Sequence, residues 1–201
     1  LERNSDMVMM AAYAPLFCKK GYNKWNSNLI WFDNRGLWRT SNYYYQKLFS
    51  QAGDKAVEIS EVTNGGKPDP NIYTSATIDS RSGDIYLKFV NAEQLEKVLE
   101  LNIEGGKKYS VTMEFISSHD TDVKNQKDQN YYSSHPDYAP KPVVTGPDGR
   151  GLPRGFQGFS KSVNYLETVV PHSREFGTVS KSARLVLPEN SVGIIKFSTL
   201  K

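Results

Sequence analysis

Residues able to do chemistry are scattered along this chain rather than gathered. His119-Asp120-Thr121-Asp122 brings an imidazole and two carboxylates together, the raw material of a metal site. Its spacing is poor for calcium, which takes many oxygens from a glycine-containing loop, and it fits no metal-loop motif. A solvated turn is the preferred reading, and no metal is expected. His135 and His172 each stand beside a proline with no partner at useful spacing, and no Gly-x-Ser-x-Gly elbow supports a serine nucleophile. Gly146–Gly151 and Gly155-Phe156-Gln157-Gly158 are glycine-rich, but no strand-then-helix context surrounds them. They read as turns and not as a phosphate cradle. Glu2 is the only glutamate in the first fifty residues and reads as a solvated or helix-end charge.

The elements that must position such groups change character near residue 50. Leu1–Phe17 carries Met7, Met10, Ala11 and Ala14 at helical spacing, with Asn4 or Ser5 as a cap and Pro15 near its end. Leu29–Phe32 is a short continuous apolar run, the pattern of a buried parallel strand. Thr40 or Ser41 caps a second helix through Leu48-Phe49. This helix–strand–helix order is that of the last unit of a parallel α/β barrel. One such unit cannot close a barrel, so the expectation is that most of any catalytic apparatus lies upstream of residue 1.

From Gly53 onward the period becomes alternating. Val57–Thr63, Ile72–Asp79, Asp84–Asn91, Lys97–Ile103, Tyr109–Ser117, Arg174–Ser180, Ala183–Leu187 and Val192–Ser198 read as strands. Ser80-Arg81-Ser82-Gly83 joins two of them as a hairpin with Gly at the turn. About eight strands at this spacing predict an antiparallel β-sandwich of jelly-roll type, so the fold class is mainly β. The exception is Ser118–Tyr165, a long polar connection of the kind that is either functional or loose. Its aromatics, Tyr131, Tyr132, Tyr138, Phe156 and Phe159, read first as packing for the loop. A second reading makes the sandwich a carbohydrate-binding module whose loop aromatics stack on sugar rings.

Bulk properties exclude several classes. The longest apolar patches, Met7–Tyr13 and Val192–Phe197, fall short of the roughly 20 residues that span a bilayer. Net charge is +3, with basic residues spread out and only Lys19-Lys20 and Lys107-Lys108 adjacent. A nucleic-acid footprint needs a clustered stripe, so neither nucleic acid nor membrane is an expected partner. Cys18 is the single cysteine, which rules out an internal disulfide and a cysteine-based zinc site.

The opening fifty residues also carry a specific likeness. Leu1-Glu2-Arg3-Asn4-Ser5-Asp6, Ala11–Phe17, Trp25-Asn26, Leu29–Asn34, and Asn42-Tyr43-Tyr44 with Gln46–Phe49 follow one another at characteristic spacing. Ser75–Asp79, Ile85–Asn91 and Leu187–Val192 extend the pattern. Together they closely resemble the C-terminal region of the α-L-arabinofuranosidases of glycoside hydrolase family 51. The stretch after Tyr109–Ser117 departs from that pattern, since an insertion precedes Tyr165–Pro171.

The resemblance implies residues 1–50 as the C-terminal remnant of a catalytic (β/α)8 barrel and residues 51–201 as a C-terminal β-sandwich packed on it, with the long loop 118–165. It implies a retaining parent enzyme that removes terminal α-L-arabinofuranosyl groups from plant polysaccharides without a cofactor. Retention needs two carboxyls about 5–5.5 Å apart. The family's two glutamates belong to earlier barrel strands, so no catalytic residue is assigned here and the chain alone is expected to be inactive. If Leu29–Phe32 is the eighth barrel strand, Trp31, Asp33 and Asn34 lie near the mouth where such barrels bind substrate. Asp33 or Asn34 would then hydrogen-bond a furanose hydroxyl, and Trp31 would supply an apolar wall. The plainer alternative has Trp31 in the core and the polar pair starting a turn. Family members commonly assemble, so a homo-oligomer is one expectation. The compartment stays open, with a secreted or periplasmic parent as the resemblance's lean. An orphaned barrel segment would expose Met7, Met10, Trp25 and Leu29.

Overall fold

The computed structural model describes residues 1–19, 22, 28–32, 34, 36–61, 67–117 and 170–200. The described residues within Leu1–Ala12, Tyr44–His119 and Val169–Lys201 form one compact unit, and those within Tyr13–Tyr43 a second.

The first unit is built on alternation. Its strands are β4 (Lys55–Val57), β5 (Ile72–Ile78), β6 (Ile85–Asn91), β7 (Lys97–Asn102), β8 (Tyr109–Ser117), β9 (His172–Val179), β10 (Ser182–Leu187) and β11 (Ser191–Thr199). Six of them form one sheet in the order β4-β5-β6-β11-β8-β9, antiparallel throughout, and β10 pairs with β7 in a separate antiparallel ribbon. Every second residue of β6, β8 and β11 points to one face. Leu87, Phe89, Val111, Met113, Phe115, Ile195 and Phe197 meet Ala183, Leu185 and Leu187 of the ribbon there, in one apolar core. Two sheets closed face to face over a shared core make a β-sandwich. From Ile72 onward the strand positions agree with the alternation to within a few residues, whereas the strand expected over Val57–Thr63 is replaced by the short Lys55–Val57, with residues 58–61 outside any strand. The pairing does not follow chain order, because Lys97–Asn102 and Tyr109–Ser117 are sequence neighbours in different sheets.

Within the large sheet, Phe89 pairs with Gly193, and Gly193 with Phe115. A Cβ at Gly193 would stand 2.8 Å from the Phe89 ring and 2.8 Å from the Phe115 Cβ. Only glycine lets those two aromatic residues close over the central strand. The buried Asn91 amide donates to Leu95 O at 2.9 Å and to Pro188 O at 2.8 Å. One side chain thus ties the chain leaving β6 to the turn before β11, which gives the Asn91 and Pro188 positions a structural reason.

The opposite face of the large sheet is covered by α1 (Ser41–Phe49), whose Leu48 is buried against Ile116 and Ile194 with Tyr44, Phe49, Tyr86 and Val192 around them. The other expected helix is absent. Leu1–Phe17 holds only a 3-10 turn at Glu2–Asn4 before the chain runs out to β1 (Phe17–Lys19). Met7, Met9 and Met10 are 80%, 90% and 87% exposed, so the apolar stripe finds nothing to pack on. A short helix without a buried face is marginal in water, and Asn4, Ser5 and Asp6 favour turns over helix.

The hairpin between β5 and β6 forms as expected, with Gly83 at φ +78°. Asp79 accepts the amides of Arg81 at 2.8 Å and Ser82 at 2.9 Å. Asp54 accepts the Ser80 amide at 2.7 Å and its hydroxyl at 2.6 Å. The Ser82 and Arg81 amides hold the Asp79 carboxyl below the usual range, and the Ser80 hydroxyl and amide do the same for Asp54. Carboxyls depressed in the folded state contribute stability that is complete above the ordinary aspartate value of about 4 and is lost as pH falls through their folded values. The melting temperature is therefore expected to fall as pH drops below about 4, and the Asp54→Asn, Asp79→Asn double variant to fall less steeply. Parallel melting curves for the two proteins would show that these turns do not drive the acid response.

Candidate functional site

The second unit holds the residues that the sequence placed at a ligand rim. β1, β2 (Ile30–Phe32) and β3 (Leu37–Arg39) form a small sheet in that order. β1 and β2 are parallel, with Phe17 opposite Ile30 and Cys18 opposite Trp31, whereas β3 returns antiparallel. The Ile30 amide donates to Leu16 O at 2.9 Å. Thr40 fastens the sheet to the helix that follows. Its hydroxyl donates to Leu29 O at 2.9 Å and accepts the Tyr43 amide at 3.2 Å, so Thr40 is the N-cap of α1.

Strand alternation then sorts the side chains. Trp31 and Cys18 share one face, and both are buried. Burial pushes the Cys18 thiol up, which disfavours the nucleophilic thiolate. Phe17, Phe32 and Leu37 line the other face and, with Gly36, form a shallow apolar depression of about 530 Å³. The Phe17 and Phe32 rings meet edge to face at 6.4 Å. Both parallel strands run in the same direction, so Lys19 and Phe32 end at one edge of the sheet. Asn34 lies just past that edge and is exposed, and Asp33 falls outside the described residues. Trp31 is thus a buried residue of β2, and Asn34 is exposed beyond the end of that strand. Leu29 is buried at 6%, against the expectation of an exposed residue, whereas Met7 and Met10 are exposed as expected. Trp25 lies outside the described residues.

A second polar cluster escaped the sequence reading. Lys88, central in β6, is 3% exposed on the sheet face that α1 covers. Its ammonium donates to the Glu2 carboxylate and, at 2.6 Å, to the last carbonyl of α1, Phe49 O. The ammonium also lies 5.6 Å from the Phe49 ring. Ser75 donates to the other Glu2 oxygen at 2.7 Å, and Arg3 donates to Thr74 O. Glu2 is therefore an ion-pair partner of a buried lysine, not a solvated charge. The signal was present in Ile85-Tyr86-Leu87-Lys88-Phe89, a charge inside an otherwise apolar run. No neighbouring residue pointed to its partner.

The remaining sequence candidates do not build a site among the described residues. His172 lies on β9 with its ring 5.7 Å from that of Phe115. His119, Asp120, Asp122, His135, the 146–158 glycines and the loop aromatics Tyr131, Tyr132, Tyr138, Phe156 and Phe159 lie outside those residues. Among the described residues no three His, Cys, Asp or Glu side chains gather as metal ligands, and no helix is long and apolar enough to cross a membrane.

Comparison with known proteins draws on both units. Residues 1–138 match the family described as α-L-arabinofuranosidase C-terminal domain. An extracellular exo-α-L-arabinofuranosidase of Streptomyces chartreusis is 45% identical over 64 residues, 31% of this chain and 8% of that protein. α-L-arabinofuranosidase A of Aspergillus kawachii is 30% identical over 131 residues, 64% of this chain and 20% of that protein. The chain thus spans a fifth or less of these curated relatives. Among solved structures, an arabinose-bound family 51 α-L-arabinofuranosidase superposes with a TM-score of 0.64 at 21% identity, over 98% of this chain and 25% of that one. The Thermotoga maritima α-L-arabinofuranosidase in complex with arabinose superposes at 0.59 and 17% identity, over 98% and 35% respectively. These structural likenesses speak to the fold. With the family match covering well over half of its length, the chain belongs to the C-terminal domain family of the α-L-arabinofuranosidases.

Proposed function

We propose that this chain is the C-terminal part of a retaining α-L-arabinofuranosidase that removes terminal α-L-arabinofuranosyl groups from plant polysaccharides, and that its own role is structural. In this reading residues 1–50 are the end of the catalytic (β/α)8 barrel. Residues 51–201 are a jelly-roll sandwich that packs against it. The family match carries the proposal, because residues 1–138 match the C-terminal domain of α-L-arabinofuranosidases. The parallel pairing of β1 with β2 is the pairing that adjacent strands of such a barrel make, although β3 returns antiparallel. The test is hydrolysis of an aryl α-L-arabinofuranoside by this chain. No turnover above buffer is expected, and specific turnover would place the catalytic carboxylates inside it.

The rim after β2 is the proposed sugar contact, with Asp33 or Asn34 bonding a furanose hydroxyl and Trp31 supplying an apolar wall. Parallel barrels bind substrate at the C-terminal ends of their strands. In the full-length enzyme, Asp33→Ala or Asn34→Ala is expected to raise KM about tenfold, as befits one lost hydrogen bond of about 1–2 kcal/mol. Unchanged KM in both variants would return the pair to a turn.

A further inference from the structure

We propose that Glu93 fastens the ribbon of β7 and β10 to the large sheet at one end, and that its protonation releases that end while the other end and the large sheet stay closed. The observation is a hub of four bonds on one residue. The Glu93 carboxylate accepts the Asn71 side-chain amide at 3.0 Å and the Lys97 ammonium at 2.9 Å. Its main-chain amide donates to the Asn91 side chain at 3.1 Å, and its carbonyl accepts the Asn190 amide at 2.7 Å. Those partners stand just before β5, at the end of β6, at the start of β7 and in the turn between β10 and β11. The chain leaves the large sheet for the ribbon after β6 and returns to it after β10, so both crossings at this end meet on Glu93. The crossings at the other end, after β7 and before β10, are joined by the Ile103 amide donating to Lys181 O at 2.8 Å.

Charge makes this end answer to acid. Lys97 lies between two carboxylates, Glu93 at 2.9 Å and Asp69 at 3.1 Å. Asp69 is fixed in turn by the Asn71 main-chain amide at 3.0 Å. The charged groups acting on Glu93 are Lys97, which attracts it, and Asp69, which repels it. Glu96 and Glu189 are the next carboxyls along the chain. The Asn71 side chain and the Lys97 ammonium hold the Glu93 carboxyl below its ordinary range, and the Asn71 main-chain amide and Lys97 do the same for Asp69. A carboxyl depressed in the folded state contributes stability that is complete above its ordinary value of about 4 and is lost as pH falls through the folded value. Protonation also places a donor where the Lys97 ammonium has no lone pair to accept it. A two-stranded ribbon is marginal by itself, so its ends open with the contacts that hold them.

Hydrogen exchange, read as protection relative to the intrinsic rate at each pH, tests the fastening in this chain. The Asn190 and Ala92 amides, bonded to Glu93 O and Asn71 O, report this end. The Ile103 amide reports the other end, and the β8 and β11 amides report the large sheet. In the wild type, protection of Asn190 and Ala92 is expected to fall below about pH 4 ahead of that of Ile103, β8 and β11. Glu93→Ala is expected to lower protection at Asn190 and Ala92 about fivefold at neutral pH, with Ile103, β8 and β11 within about twofold of wild type. Glu93→Gln keeps the shape without the charge, so its Asn190 protection is expected to lose the acid response. Lys97→Met leaves Glu93 and Asp69 facing each other as like charges. Protection at the same two amides should then be low at neutral pH and rise as pH drops toward about 4, the reverse of the wild type. Unchanged protection at Asn190 and Ala92 in both Glu93→Ala and Lys97→Met, or a loss shared equally by Ile103, β8 and β11, would overturn the fastening. A wild-type acid response retained in Glu93→Gln would overturn the role given to its protonation.

Discussion

Glu2→Ala is expected to destabilise the chain by about 3 kcal/mol, read as a shifted denaturant midpoint at unchanged slope. Breaking a buried pair from one side costs about 3–5 kcal/mol because the surviving charge is left in a low-dielectric site. Here the survivor is Lys88, whose side chain is 4% exposed. The lower end of the range applies because the Glu2 side chain is 26% exposed and Phe49 O remains as a partner. Lys88→Met should cost less. It removes the buried charge itself, and the stranded Glu2 can turn to water. The double variant should accordingly be more stable than Glu2→Ala alone, a non-additivity of the kind that contacting residues show. A Glu2→Ala variant within about 0.5 kcal/mol of wild type would show that the pair carries no net coupling.

Phe89→Ala is expected to cost about 3–5 kcal/mol, the range for removing a buried aromatic ring. Phe89 is 1% exposed and lies in the row where Gly193 leaves space for its ring. Truncation opens that space from both sides, because glycine has no side chain with which to fill it. Thermal unfolding should fall by about 6–20 °C, given about 2–4 °C per kcal/mol for a chain of this size. Phe89→Leu should recover part of the loss, since a branched aliphatic side chain refills some of the volume. A loss under about 1 kcal/mol for Phe89→Ala would mean that the two sheets close over the gap.

These two residues sit next to each other on β6 and face opposite ways. Phe89 serves the core between the sheets. Lys88 serves the Glu2 ion pair beneath α1. Strand alternation separates the two jobs by a single residue, so a one-residue slip of β6 would drive the charge into the apolar core. That penalty specifies the register of β6 strongly.

Much of this architecture was legible before any coordinates. Alternation placed the sandwich strands from Ile72 onward because a half-buried strand must show a period of two, but it misplaced the first, which lies at Lys55–Val57 and not over Val57–Thr63. The Ser80–Gly83 turn was legible because its backbone demands a glycine. The second helix was legible because Thr40 stands at its N-cap. The first helix was misread because spacing alone does not supply a packing surface, and Met7, Met9 and Met10 lie exposed. Of the candidate rim, the sequence located the strand and its end. It did not show that Trp31 faces Cys18 while Phe17, Phe32 and Leu37 line the opposite side.

By itself, then, the sequence determined the local periods, the caps and turns, and the family to which the chain belongs, all of which are written in residues close together along the chain. The tertiary structure alone decided partners. A lysine inside an apolar run must find an acid, but the chain holds 22 acidic residues, and only the fold brings Glu2 to Lys88. Strands next to each other in sequence likewise had several antiparallel neighbours open to them. The choice of β10 for β7, and of β11 and β9 for β8, follows from burying both apolar faces at once, a condition that no single segment can state.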